Sequence, residues 1–158
     1  MTDPTTAPAM EQREYTTTRT FDAPPEVVFK AWTEPEQFAR WWGAADGAGT
    51  PLDTVRMDVR PGGEWHAITR ASDGSAEYPF AGIYKEIDAP GRLVFTLTDG
   101  LEPDPNRQHL VTITFTERDG KTEMNFSQVG QMAERNFQGL SYGYDKFFGK
   151  LAEVVKAG

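Results

Sequence analysis

The segment "AERNFQGLSYGYDKFFGKLAEVV" (133–155) decides the fold of this 158-residue chain. Apolar residues recur along it in steps of four and three. That spacing predicts an amphipathic helix of roughly 25 residues with one apolar stripe. The residues of the stripe are Ala133, Phe137, Leu140, Tyr144, Phe147, Leu151 and Val154. Such a stripe requires a partner surface elsewhere in the chain.

Strands upstream of this helix supply that surface. Segments of alternating polarity predict strands over 13–21, 52–59, 64–70, 77–87, 92–98, 109–117 and 121–129. Asp73-Gly74 and Asp119-Gly120 are hairpin signals between consecutive strands. Strands joined by short turns form antiparallel sheets that are polar on one face. We therefore predict an α+β domain in which the long helix covers the apolar face of the sheet.

Two short helices are predicted directly after the first strand. Pro24 and Pro25 suit a first helical turn, and Val28, Phe29 and Trp32 follow at helical spacing. The sequence 33–36 matches a capping box and predicts a second helix from residue 34, which Gly43 ends. This second helix carries two adjacent tryptophans at 41 and 42. Successive helical residues point about 100° apart, so one core cannot receive both indoles from a continuous helix.

Five strings carry a resemblance to a known family: "APPEVVFKAWTEPEQFARWWG", "VRPGGEWHAI", "GIYKEIDAPGRLVFTLT", "VTITFTERDGKTEMNFSQ" and "GLSYGYDKFFGKL". They resemble the SRPBCC or START-like superfamily, typified by the birch-pollen allergen. Within it they are most similar to bacterial single-domain relatives of the C-terminal domain of the activator of the ninety-kilodalton heat-shock-protein ATPase. The likeness runs over 14–156. It implies a helix-grip fold: a curved antiparallel sheet of about six or seven strands wrapped on the C-terminal helix, with a hydrophobic cavity between them.

Composition narrows the function classes. The net charge is −8, and the sixteen Lys and Arg are spread along the chain, so nucleic acid and anionic membranes are not expected partners. The chain has no cysteine, which excludes disulfides and thiolate chemistry and fits the reducing cytoplasm. Neither a signal peptide nor a membrane span is expected. We predict a disordered leader over 1–12 and one domain over 13–158.

Glycines in the last helix bear on the expected cavity. Gly139, Gly143 and Gly149 each cost up to about 1 kcal/mol relative to alanine in a helix interior. They are explained either by close approach of the helix to the sheet, which we favour, or by space left for a ligand. An empty ligand-sized pocket of about 300 Å³ would cost roughly 7 kcal/mol. The cavity is therefore expected to hold water, to hold a ligand, or to be reduced by bulky side chains.

We expect Trp42 to border the cavity and Trp41 to anchor the second helix. Leu97 and Leu140 stand where relatives of the family often carry tryptophan, so ligand identity does not transfer from them. The polar segment 99–108 is expected to be an ordinary connection rather than a lid. The predicted cavity lining is Trp42, Trp65, Tyr84, Phe95, Leu97, Phe126, Phe137, Leu140, Gly143, Tyr144 and Phe147.

Catalytic patterns are weak. The string GLSYG (139–143) matches the nucleophile elbow of hydrolases, but it lies inside a helical period and both histidines precede it. Glu64 and His66 share a strand face without further metal ligands, and His109 is expected to be exposed. We predict no catalytic residue, metal or cofactor.

The leading hypothesis is binding of an apolar or amphipathic small molecule. The alternatives are a chaperone partner and an enzyme of the cyclase or dehydratase type.

Overall fold

Strands and helices alternate along the chain in the predicted order. The computed structural model describes residues 11–99 and 108–157. Within these ranges it contains β1 (Glu11–Phe21), α1 (Pro25–Thr33), α2 (Pro35–Trp41), β2 (Arg56–Met57), β3 (Glu64–Arg70), β4 (Glu77–Asp88), β5 (Arg92–Asp99), β6 (His109–Arg118), β7 (Lys121–Met132) and α3 (Glu134–Ala157). A 3-10 turn over Leu52–Thr54 precedes β2.

The seven strands form one antiparallel sheet in the order β1-β7-β6-β5-β4-β3-β2. Every neighbouring pair except β1 and β7 is consecutive along the chain, as expected for strands joined by hairpins. The last strand, β7, returns to pair with the first, β1. Glu11 lies opposite Met132 at one end of this pair, and Phe21 lies opposite Thr122 at the other. The predicted α+β architecture with an antiparallel sheet is confirmed.

Helix α3 packs against the sheet through aromatic contacts. The ring of Phe126 on β7 lies 4.6 Å from that of Tyr144 and 5.3 Å from that of Phe148, measured between centroids. Phe126 also stacks on Trp32 of α1 at 6.1 Å. Because one strand residue touches both the first and the last helix, the core is continuous beneath them, which is the helix-grip arrangement.

Toward the end of α3, the buried residues lie one position after those predicted for the apolar stripe. Tyr144, Phe148, Leu151 and Val155 are the α3 residues in the buried core. Phe147, predicted in the stripe, is only half-buried. Adjacent apolar residues at 147–148 and 154–155 satisfy the helical period equally well, so periodicity alone could not choose between them.

A hydrogen bond from Trp41 holds α2 against α1, and the predicted capping box does not form. The indole Nε1–H of Trp41 donates to Ala31 O at 2.8 Å. The Thr33 hydroxyl instead bonds back to Phe29 O at 3.0 Å. Glu34 is the N-cap of α2, makes no side-chain cap bond, and is followed by Pro35. Proline has no N–H, so the first turn of α2 has one donor fewer to satisfy, and the capping-box prediction is wrong.

Several strand boundaries also differ from prediction. β1 begins at Glu11, so residues 11 and 12 are strand rather than leader. The predicted strand over 52–59 is wrong: the chain forms a 3-10 turn and pairs with β3 only at Arg56 and Met57. β7 extends to Met132, three residues beyond its predicted end. The rest of the expected leader, 1–10, and the interior of the expected connection, 100–107, lie outside the described residues.

Candidate functional site

A cavity of about 220 Å³ lies between α3 and the sheet. Its wall draws residues from α3, from β4 to β7 and from the end of α2. The lining residues are Trp42, Phe80, Leu97, His109, Gln128, Gln131, Met132, Asn136, Gly139, Leu140, Gly143, Tyr144 and Phe147. Gln131, Asn136 and Gly139 are exposed, whereas Trp42 and Gln128 are each only 2% exposed. The cavity therefore runs from the protein surface into the core.

The glycines of α3 leave space instead of permitting close packing. A Cβ added at Gly139 or Gly143 would meet no atom within 4 Å beyond the neighbouring helix backbone. Both residues line the cavity. Gly149 is equally unobstructed but is not part of the cavity wall. The favoured explanation from sequence, close approach of the helix to the sheet, is therefore wrong for all three glycines.

The two adjacent tryptophans are both buried because the core surrounds the end of α2 on two sides. Trp41 is the last helical residue, and Trp42 has φ −66° and ψ 130°. This φ is still helical and the extended ψ redirects only the chain after Trp42, so the two side chains keep their offset and enter different parts of the core. Trp41 packs between α1 and α3, with its ring 4.5 Å from Trp32 and 6.2 Å from Phe148. Trp42 turns to the cavity wall, where it contacts Phe80 at 5.4 Å.

A chain of hydrogen bonds fixes the polar part of the wall. The hydroxyl of Tyr144 donates to Oε1 of Gln128 in a short hydrogen bond. Nε2 of Gln128 lies 2.7 Å from Nδ1 of His109, and Nε2 of His109 lies 3.1 Å from Gln131 O. A carbonyl oxygen only accepts, so these partners assign the His109 proton to Nε2 and leave Nδ1 to accept from Gln128. The network ties α3, β7 and β6 together around the imidazole of His109.

Burial and a glycine hold the ends of this network in place. Tyr144 is 4% exposed, and this burial raises the pKa of its hydroxyl well above the ordinary value of 10.0, with a smaller contribution from Tyr15. The phenol therefore remains a donor at neutral pH. At the other end the imidazole of His109 lies over Gly130, where an added Cβ would overlap the ring. The expectation that His109 is exposed is wrong, because it is half-buried in the cavity wall.

Among the described residues, the wall has no acidic side chain and no Lys or Arg. None of the thirteen that line it is Asp, Glu, Lys or Arg, and both ring nitrogens of His109 are engaged by Gln128 and Gln131 O. Transferring an unpaired charge into such surroundings is costly. The site therefore suits a neutral group, with apolar contacts from Trp42, Leu97 and Phe147.

Six of the eleven residues predicted to line the cavity do so: Trp42, Leu97, Leu140, Gly143, Tyr144 and Phe147. Three others, Trp65, Tyr84 and Phe95, line a separate void of about 10 Å³ near Trp32. Such a volume is about what one water molecule needs. These three residues are core rather than cavity wall.

The remaining two predicted residues also lie elsewhere. Phe126 is 2% exposed and belongs to the packed core under α3. Phe137 is half-buried and has the guanidinium carbon of Arg13 5.8 Å from its ring centroid. Neither borders the cavity. Both were predicted on helical or strand periodicity, which locates an apolar face without saying whether that face meets a solid core or a space.

Sequence reasoning missed seven lining residues: Phe80, His109, Gln128, Gln131, Met132, Asn136 and Gly139. Ending the last strand at 129 hid Gln131 and Met132, which are the last two residues of β7. Gly130 offered a signal, since a glycine inside a strand often marks the close approach of another group. Here that group is the His109 ring.

The weaker chemical patterns do not assemble into a reaction centre among the described residues. Ser141 lies exposed within the continuous helix α3, which contradicts a strained nucleophile elbow. Nδ1 of His66 lies 3.0 Å from Thr54 O, so its ring contacts the backbone. Over residues 11–99 and 108–157, no group of three or more His, Asp or Glu side chains is placed to hold a metal ion. Within the same ranges, every helix is too short or too polar to cross a bilayer.

Solved bacterial structures share this fold. A protein from Chromobacterium violaceum is 22% identical, with a TM-score of 0.78 over 90% of this chain and 96% of that chain. A protein of unknown function from Staphylococcus aureus is 18% identical, with a TM-score of 0.78 over 94% and 96% of the two chains. The AHSA1-like protein from Aeromonas hydrophila is 25% identical, with a TM-score of 0.74 over 92% and 93%.

The search among curated proteins gave no match to this sequence. The family described as "Activator of Hsp90 ATPase homolog 1-like protein" matches residues 22–156, which run from the end of β1 through nearly all of α3. This range contains every residue that lines the cavity. The chain therefore belongs to the family of activator of Hsp90 ATPase homolog 1-like proteins.

Proposed function

We propose that this protein binds a neutral apolar or amphipathic small molecule in the cavity between α3 and the sheet. The observation that carries the proposal is the 220 Å³ space itself, which Gly139 and Gly143 border without filling. Because the cavity opens at the surface, water enters it in the free protein. An apolar ligand gains free energy by displacing that water from aromatic and aliphatic side chains.

Size narrows the class of ligand. An engineered apolar cavity of about 150 Å³ accepts benzene, whereas drug-sized ligands occupy about 300–1,000 Å³. At about 220 Å³ this cavity fits a molecule of one or two rings. Binding of a long-chain lipid, which the fold also allows, is the less favoured form of the proposal.

The cytoplasm is the proposed compartment, since a chain without cysteine suits reducing conditions.

The alternative of a chaperone partner rests on the name of the family. The cavity wall favours the small molecule, because its buried part consists of aromatic and aliphatic side chains around a few fixed polar groups. A pull-down with the heat-shock ATPase of the same cell, with ATPase rates measured, tests the alternative directly. Stimulation of the ATPase at micromolar protein would favour the chaperone role.

The test of small-molecule binding uses the whole chain labelled with ¹⁵N and titrated with indane, a neutral two-ring hydrocarbon. The backbone amides of Gly139 and Gly143 should shift and saturate, while that of Gly149, on the same helix outside the cavity, should not. Indane-1-carboxylate is the matched charged probe and should bind at least tenfold more weakly, because its charge finds no cation among the described residues of the wall. No saturable shift up to the solubility limit of indane would refute the proposal.

Native mass spectrometry of the protein purified from its own host complements the titration. A co-purifying molecule with one or two rings and no formal charge would identify the ligand. A charged metabolite would contradict the proposed ligand class, and a bound acyl chain would favour the long-chain form of the proposal over a ring compound.

A further inference from the structure

Three aromatic rings meet in the wall of the cavity. The ring of Trp42 lies 5.4 Å from that of Phe80 and 5.5 Å from that of Phe147, measured between centroids. Phe80 belongs to β4 and Phe147 to α3, and both line the cavity between the sheet and that helix. The two phenylalanines therefore lie on opposite walls, with the indole of Trp42 between them.

Both phenylalanines have surface that a ligand can reach. Phe80 and Phe147 are half-buried, whereas Trp42 is only 2% exposed. Within the described ranges, each of the two rings contacts the indole but they do not contact each other. The space that separates them belongs to the cavity. Trp42 thus holds the two rings apart, and the two phenylalanines supply the contact surfaces.

The orientation of both rings is fixed by the protein. The plane of the Phe80 ring is at 86° to the indole of Trp42. The Phe147 ring contacts both the indole and the ring of Tyr144, the latter at 5.7 Å and 81°. Tyr144 is itself held by its hydrogen bond to Gln128. A ligand therefore meets rings that are already positioned, which lowers the entropy lost on binding.

Aromatic walls discriminate between ligands that aliphatic walls do not. Burial of apolar surface favours any hydrophobic ring in proportion to its area. An aromatic ring has a negative face and a positive edge, so it also favours stacked or edge-to-face contact with a second aromatic ring. A saturated ring of the same skeleton is puckered and lacks this charge distribution. Opposed aromatic walls therefore favour a planar aromatic ligand.

We propose that Phe80 and Phe147 form an aromatic clamp that holds a planar aromatic ring of the bound molecule and selects it over a saturated one. The ligand is then a neutral compound of one or two rings, at least one of them aromatic. This inference rests on the proposed function and specifies the chemistry of the same site.

The experiment compares indan-2-ol with octahydroinden-2-ol. The two neutral alcohols share one skeleton and hydroxyl position and differ in whether the six-membered ring is aromatic or saturated. Their Kd values are measured with the whole ¹⁵N-labelled chain. The saturated alcohol has the larger apolar surface, so an aliphatic cavity would bind it more tightly. The wild-type protein should instead bind indan-2-ol at least threefold more tightly.

Substitution of the clamp by aliphatic side chains tests which residues give this preference. The ratio of the Kd of the saturated alcohol to that of indan-2-ol is compared in wild type, Phe80→Leu and Phe147→Leu. One aromatic pair corresponds to about fivefold in affinity beyond its buried area, so the ratio should fall about fivefold in each variant. Using the ratio cancels general effects of each substitution on cavity volume and stability.

The matched control is Phe137→Leu. Phe137 is also a half-buried phenylalanine of α3, but it lies outside the cavity wall and beside Arg13. The ratio in this variant should stay within about 1.5-fold of wild type. A second readout is direct contact: the aromatic protons of indan-2-ol should give nuclear Overhauser effects to the rings of Phe80 and Phe147, and none to that of Phe137.

The outcomes separate the two proposals. Saturable binding of both alcohols with an unchanged ratio in the two clamp variants, or without contacts to their rings, would overturn the clamp and leave small-molecule binding intact. Failure of indane and of both alcohols to bind wild type would overturn the proposed function and this inference with it. A ratio that falls in Phe80→Leu and Phe147→Leu but not in Phe137→Leu would establish the clamp.

Discussion

Replacement of Gly143 by leucine should close the cavity without harming the fold. An added Cβ at this position meets no atom within 4 Å, and the residue lies in the wall. The new side chain has four heavy atoms. If each takes roughly the ~30 Å³ of a water molecule, the group fills about half of the 220 Å³ space. The remainder is too small for a two-ring ligand.

The same change should raise the stability of the protein. Glycine in a helix interior is less favourable than leucine by up to about 1 kcal/mol. Gly143 lies well inside α3, as the tenth residue of the helix. We therefore expect Gly143→Leu to increase the free energy of unfolding in urea by about 0.5–1 kcal/mol, with an unchanged m value. Loss of ligand binding would then not be a consequence of unfolding.

The matched control is Gly149→Leu. This glycine lies on the same helix and also has no atom within 4 Å of an added Cβ, but it does not border the cavity. Both variants should gain similar stability from helix propensity. Only Gly143→Leu should weaken indane binding, by at least tenfold, while Gly149→Leu stays within about twofold of wild type. A folded Gly143→Leu protein that binds indane as tightly as wild type would refute the placement of the site.

Three further predictions concern the surroundings of the cavity. Because burial raises the pKa of Tyr144 above 10.0, its hydroxyl ionises more readily in the unfolded chain, so stability is full below pH 10 and falls above it. Tyr144→Phe should remove from that decline a slope that grows from pH 10 and approaches about 1.4 kcal/mol per pH unit by pH 11, measured in denaturation curves at pH 10–11, and an unaltered slope would contradict the buried phenol. Gly130→Ala should destabilise the protein by roughly 1–3 kcal/mol through overlap with the His109 ring. His109→Ala loses the bonds to Gln128 and Gln131 O, but in that background Gly130→Ala should cost much less, and an equal cost in both backgrounds would show that another contact is responsible. Phe148→Ala should lower the free energy of unfolding by about 3–5 kcal/mol, and Phe147→Ala, at a half-buried position, by less than half as much. Equal losses in the two variants would contradict the described buried face of α3.

Much of the fold follows from local pattern. The strand over Glu64–Arg70 has the predicted bounds, and the long helix begins and ends within about two residues of prediction. Alternation and helical spacing reflect which face is buried, and a sheet and a helix of this length have few other ways to bury those faces. The family resemblance added the wrapping of the sheet around the long helix, which spacing does not contain.

The site was less accessible to sequence reasoning. Aromatic residues such as Phe126 and Trp65 carry the same local signal whether they pack into the core or border a space. His109 was discounted because a histidine at the start of a strand is usually solvated, yet its ring is placed by Gly130 on the adjacent strand. Contacts between strands depend on register, and register is not a property of either segment alone.

The sequence by itself determined the spacing of apolar residues, which is two along the strands and 3.6 along α3. This spacing predicts a sheet with one helix covering it. Only the tertiary structure decided that α2 ends between Trp41 and Trp42, that the glycines of α3 face open space, and that Phe80 and Phe147 meet at the Trp42 ring. Periodicity reports the direction in which a side chain points. Whether that direction ends in a packed neighbour, a cavity or an acceptor depends on residues distant in the chain, which only folding brings together.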